Sequence, residues 1–273
     1  MTEFAKRMYT GIGSVVLFAL AASLLFGTLQ NNLIKTSIFS GLLLLFMVIF
    51  LIGLNWRKHF SFLPIGKAST WLQIHVYVGW ASIVMFLIHT GGRSANGGLE
   101  STISFLFLTV AASGVLGLGL SRLIPRRLTQ KGGNIAFEDI PKLKKDIKVQ
   151  AEDLAIKSIE QTKKSTISDF YVERVEVFLL GSRRFFWNHL FGSQKHLNPL
   201  LTRMRAMYRY LNDDEIQIMK KLEELVCERD LIESQHSLLS LLKWWLFVHI
   251  PLSYSLLIFA IVHGIFAYRF VGG

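Results

Sequence analysis

Cysteine is all but missing from this 273-residue chain, where Cys227 stands alone. One thiol excludes an internal disulfide and any iron–sulfur cluster held by cysteines, since both need several. Cys227 itself reads as a buried or interfacial thiol. Acidic residues are nearly missing outside one segment: residues 121–243 hold 17 Asp or Glu and 22 Lys or Arg, leaving 2 acidic and 8 basic residues elsewhere. That segment has no glycine-rich phosphate loop and no dinucleotide fingerprint. Its mixed charge describes a solvated surface rather than a nucleic-acid site, so no nucleic-acid partner is expected.

What fills the rest of the chain is apolar. Hydrophobic residues make up 51% and mean hydropathy is +0.40, too apolar for an ordinary soluble domain. Five stretches reach the roughly 20 apolar residues that span a hydrocarbon core; they lie near 11–29, 38–56, 71–90, 102–122 and 243–268. Lys6 and Arg7 precede the first, but it is longer than the apolar region of a secretion signal and a second span follows at once, so it is read as retained. The expected fold is all-α: an integral membrane bundle of five transmembrane helices with a helical cytoplasmic insertion between the fourth and fifth. Residues 1–122 supply the first four helices, 123–242 the insertion, and 243–273 the fifth helix with an outer C-terminus.

Charge sets the expected orientation. If five spans alternate, Lys6, Arg7, Arg57, Lys58 and Lys67 share a side with the long charged segment, and only Lys35, Arg93 and Arg269 fall opposite. The positive-inside rule then puts the N-terminus in the cytoplasm and the C-terminus outside, in a bacterial inner membrane. In the insertion, Pro125 and Gly132-Gly133 are expected to break the fourth span and Pro141 to open a charged helical region. A second helix is expected from Asp213 to Leu242, with Asn212, Asp213 and Asp214 at its start. The stretch 171–192 fits either strand or helix. The insertion as a whole reads as a docking platform for a partner.

Four histidines stand inside the spans with matched spacing. His75 and His89 are 14 residues apart, and so are His249 and His263. On a helix that separation is about 21 Å, with the two side chains about 40° from a common face. The third and fifth spans run in the same direction in a five-span chain, so His75 shares a leaflet with His249, and His89 with His263. Two imidazole pairs stacked across a membrane suit the irons of two haems, each held by two histidines. Zinc fits these four poorly, because a pair of imidazoles lacks the further ligands it takes. His59, His189, His196 and His236 lie outside the spans and are assigned no ligand role.

Neighbouring residues extend this reading. Gly79 lies one turn after His75, and Ser113, Gly114, Gly117 and Gly119 form a small-residue stripe that lets a flat macrocycle or another helix approach. Arg93, Arg122 and Lys243 are candidate partners for haem propionates. Arg122, Arg126 and Arg127 also suit an anionic-lipid anchor or the surroundings of an inner quinone site. Pro251 should kink the fifth span. Trp71, Trp80, Trp244, Trp245 and Tyr268 lie near span ends, as interfacial aromatics do, and are given no cofactor role.

The segments IHVYVGWASIVMFLIHTGG, with His75, Gly79 and His89, and WLFVHIPLSYSLLIFAIVHG, with His249 and His263, resemble the paired haem helices of di-haem b-type membrane cytochromes. Placement on the third and fifth spans is similar to the ferric-reductase-like transmembrane domain; the equal spacing is also similar to cytochrome b of quinol-oxidising complexes. The resemblance covers about 45 residues strongly. It implies two haem b groups and electron transfer between a quinone or quinol and a redox partner: a c-type cytochrome, an iron–sulfur protein or a flavoprotein. The chain departs from both groups, having no recognisable hydride-accepting module and a far larger insertion than respiratory cytochrome b. The alternative is a transmembrane metal or oxygen reductase fed by a separate flavoprotein, and a third reading is a haem-free scaffold or transporter.

Overall fold

A computed structural model describes residues 13, 21–22, 36–56, 67–93, 96–130, 135–181, 186–190 and 196–271. Apart from residues 13, 21 and 22, the expected first span lies outside them, as does His59. The longer described helices are α1 (Thr36–Trp56), α2 (Ala68–Thr90), α3 (Gly98–Gln130) and α4 (Ile140–Thr162). A helical run follows from α5 (Thr166–Phe170) through a π turn (Tyr171–Val175) into α6 (Glu176–Leu180), so the stretch left open between strand and helix is helical where described. Then come α7 (Phe186–Leu190), α8 (Asn198–Met207), a 3₁₀ turn (Tyr208–Tyr210) and α9 (Asp213–Val271). No strand occurs among the described residues, and α1, α2, α3 and α9 are each long and apolar enough to cross a membrane.

Two units divide the chain, one of residues 1–119 and 245–273, the other of residues 120–244. In the first, Val48 and Ile52 of α1, Phe107 of α3 and Leu256 of α9 bury one another. Phe86 of α2 stacks on Phe107 with ring centroids 4.3 Å apart. Two glycines end α2 sharply. Gly91, at φ 60°, donates its N–H to the Ile88 carbonyl, and Gly92 donates to that of Leu87. This is a Schellman stop, which needs a left-handed residue that glycine supplies without a Cβ clash. It halts the helix one residue after His89.

The second unit encloses an apolar core. Ile147, Ala151 and Ala155 of α4 lie on one face and join Val175, Met204, Met219, Leu222 and Val226, the spacing that puts side chains on one stripe of a helix. Glu233 is buried between two cations, with Lys144 Nζ at 2.7 Å and Arg229 Nη2 at 2.9 Å. Such a cluster holds only while each charge keeps its partner. At the start of α9 the buried Glu215 carboxylate accepts the Asn212 backbone N–H at 2.8 Å, one half of a capping box.

Two sequence-based expectations are corrected. Pro125 does not end its helix: α3 continues through it to Gln130. Proline forfeits one backbone donor, and a helix otherwise well packed tolerates that loss. Nor is there a break at Leu242–Lys243, since α9 is one helix of 59 residues that continues through Pro251. The change there is in side-chain polarity, with no glycine or proline to interrupt the backbone.

Candidate functional site

His89, at the end of α2, is held from α1. Ser40 Oγ lies 3.0 Å from His89 Nδ1, and the same hydroxyl donates its hydrogen to the Ser37 carbonyl at 3.0 Å. With its one hydrogen so committed, Ser40 accepts, and Nδ1 of His89 is the donor. The proton on Nδ1 leaves Nε2 with its lone pair, the form in which an imidazole ligates a metal. Gly41 makes room for the ring: a Cβ there would stand 2.9 Å from His89 Cε1. His263 of α9 and His89 both line a cavity of about 330 Å³. Leu44, Val48, Phe86, Phe107 and Leu256 give it apolar walls, and Arg93, Asn96 and Glu100 add polar groups.

His249 of α9 is held in a matching way from α3, with Ser113 Oγ 3.0 Å from its Nδ1. Trp245, one turn earlier, stacks on the His249 ring with centroids 5.1 Å apart and donates its indole N–H to the Ser113 carbonyl at 2.9 Å. Gly117 lies directly under that indole, where any Cβ would collide with it, and Gly114 passes close to His249 Cε1. His75 Nδ1 is buried without a hydrogen-bond partner, with the Leu51 backbone nearby. Gly79, one turn beyond His75, has open space where its Cβ would be.

The histidines of α2 and α9 therefore stand at two levels: His89 and His263 line one cavity, and His75 and His249 lie 14 residues away on the same two helices. Arg93 reaches the level of His89 and His263. The remaining basic candidates fall in the other unit. Arg127 donates to the Leu190 carbonyl, Lys243 lies 3.4 Å above the Phe137 ring and 3.7 Å from Glu138, and Arg122 and Arg126 are exposed. Sequence reasoning overlooked Ser40 and Gly41, counted Ser113 only as a small residue, and placed Trp245 at an interface. The four-residue step from Trp245 to His249, one helical turn, was the available signal.

A second group assembles in the unit of residues 120–244, from histidines that had been assigned no ligand role. His189, His196 and Asp230 bring one donor atom each within 4.8 Å of one another, close enough to hold a metal ion. Comparison of the whole chain with protein families, with curated proteins and with solved structures finds no match.

Proposed function

We propose that this chain is a di-haem b membrane cytochrome subunit that carries electrons across a bilayer between a quinone or quinol and a redox partner protein. In this reading five spans cross a bacterial inner membrane, with the N-terminus and the insertion of residues 123–242 in the cytoplasm and the C-terminus outside. The observation that carries it is that His89 of α2 and His263 of α9 line one cavity, with His75 and His249 each 14 residues away on the same helices. Half-buried imidazoles in an apolar bundle are costly unless they serve a ligand or a polar path. Here two come from each of α2 and α9.

The residues present fit the group. His89 and His263 would hold one haem iron, His75 and His249 the other. The Nδ1 proton fixed on His89 by Ser40 leaves Nε2 as the ligating atom. His75 Nδ1, buried and unpartnered, supports a polar demand at the other level. The cavity beside His89 and His263 offers apolar walls for a macrocycle and, in Arg93, a cation for a carboxylate. Gly79 and Gly114 leave space beside the inner pair. Bound haem b supplies a one-electron iron couple. The chain's own imidazoles would hold the group, oriented through Ser40 and Ser113, with Phe86, Phe107 and Leu256 excluding water. Lipid carries the quinone to the bundle, and the exposed insertion supplies the surface on which a soluble or membrane partner docks.

The test is a pyridine haemochrome assay with reduced-minus-oxidised spectra on the purified chain. The expected result is two low-spin b haems per chain, and quinol oxidation faster than reduction of soluble ferric chelates. Absence of haem in protein expressed with ample haem supply would overturn the reading in favour of a haem-free scaffold. Two haems with preferential ferric-chelate reduction would favour the reductase.

A further inference from the structure

We propose that His189, His196 and Asp230 form a zinc site, separate from the transmembrane histidines, that ties α7 and the start of α8 to α9. His189 is 5% exposed, and the side chains of His196 and Asp230 are exposed by only 2% and 14%. A carboxylate so enclosed requires a counter-charge. Among the described residues, the only basic groups within ion-pair distance of Asp230 are these two imidazoles: His196 Nε2 at 2.6 Å and His189 Nδ1 at 3.7 Å. The adjacent Arg229 is committed elsewhere, to Glu233 and to the Leu179 carbonyl.

The donor geometry fits a metal. Zinc holds nitrogen and oxygen donors at about 2.0–2.2 Å in a tetrahedron, which puts neighbouring donors roughly 3.3–3.5 Å apart. The two separations at Asp230, 2.6 and 3.7 Å, straddle that range. The shorter is a hydrogen bond from His196 Nε2–H to the carboxylate. Zinc would take the place of that hydrogen as the donors spread around the ion; from a neutral imidazole the proton moves to Nδ1 of the same ring, and from an imidazolium one proton leaves to solvent. The rings are already set edge to face, with centroids 4.4 Å apart, and Phe178 stacks on His196 at 6.1 Å and holds its plane. Two imidazoles and one carboxylate are a donor set zinc takes, with a fourth position for water. Because all three side chains are enclosed, the ion would act there as a clamp that joins His189 and His196 to Asp230.

The experiment uses the full-length chain in detergent, stripped with a chelator and titrated with Zn²⁺ against a chromophoric competitor. Metal content is read by mass spectrometry. One zinc per chain is expected. Asp230→Asn keeps the size of the side chain and can still accept from His196, so the fold should survive, checked by helical circular dichroism and elution volume. It should weaken zinc binding by more than the roughly 10–100-fold typical of losing a residue that only supports a ligand. His189→Gln should do the same, whereas His75→Ala should leave the zinc in place. A stripped wild-type chain that takes up no zinc would overturn the site and leave a hydrogen-bonded histidine–aspartate cluster. So would Asp230→Asn and His189→Gln proteins that bind as the wild type does. Because the readout is zinc and not haem, failure here leaves the cytochrome reading untouched, and the reverse also holds.

Discussion

The two units are built from the same backbone element and dressed in opposite ways. In residues 120–244, Val175, Met219 and Leu222 are wholly enclosed, and the charged side chains of α4 other than Lys144 face outward. In the other unit Phe46, Phe105, Leu116 and Phe247 are each about two-thirds exposed, while Ser40 and Ser82 are buried. The first arrangement is what water selects, because burying apolar area there contributes roughly 25 cal/mol per Å². The second is what lipid selects, because an outward phenyl ring costs nothing against acyl chains and an unsatisfied polar group costs several kcal/mol. Two of the four histidines have a hydroxyl set against them by the apolar helices, Ser40 at His89 and Ser113 at His249.

The largest effect that would sharpen this contrast is His89→Ala. If the chain holds the two haems proposed above, it should remove about half of them, because one iron would lose one of its two histidines while the His75/His249 level would keep both. Two unchanged low-spin haems in the purified variant would break the assignment. The next effect compares the cores. Met219→Ala leaves a void in a sealed core and should destabilise the unit of residues 120–244 by about 2–5 kcal/mol. Leu116→Ala, on an outward face of α3, should shift stability by less than about 0.5 kcal/mol in lipid vesicles. Denaturant titration of both variants measures the gap, and equal losses would erase the distinction between the two units.

The smallest effect concerns pH. Tyr171 is buried with its hydroxyl unpartnered, and burial together with the Glu152 and Glu176 carboxylates pushes its pKa up to about 12. Tyr208, desolvated and donating to Glu223 at 2.6 Å, is also raised to about 12. Between pH 10 and 12 the folded chain binds more protons than the unfolded one, so stability falls as pH rises through that window. Tyr171→Phe should flatten part of the slope, leave the share carried by Tyr208, and change stability at pH 7 by about 1 kcal/mol or less. Thermal unfolding at pH 8 and pH 11 distinguishes the slopes.

Much of this was legible in one dimension. Helical periodicity and apolar length mark α1, α2 and α3, and the 14-residue interval singles out the four histidines, because both are properties of a single helix. What was not legible depends on helix against helix. Ser40 and His89 are 49 residues apart, and Ser113 and His249 are 136 apart; no local rule announces that they meet. His189, His196 and Asp230 were hidden for the same reason. The continuity of α9 was missed because a change in polarity at Lys243 imitates a boundary, although the backbone responds only to breakers such as glycine and proline.

The serines that hold the histidines have a consequence in time. Each of them precedes its histidine in the chain: Ser40 comes before His89, and Ser113 before His249. Each α2 histidine is separated from its α9 counterpart by 174 residues, which at 5–20 residues per second leaves roughly 10–35 s of synthesis between them. For the last 136 residues before His249, from Ser113 onward, the ribosome has already delivered both seats and half of the imidazoles, and the ring of His89 can be oriented before its opposite number exists. The last helix then arrives at a half-built receptacle, so the order in which the polypeptide is made coincides with the order in which the site is completed.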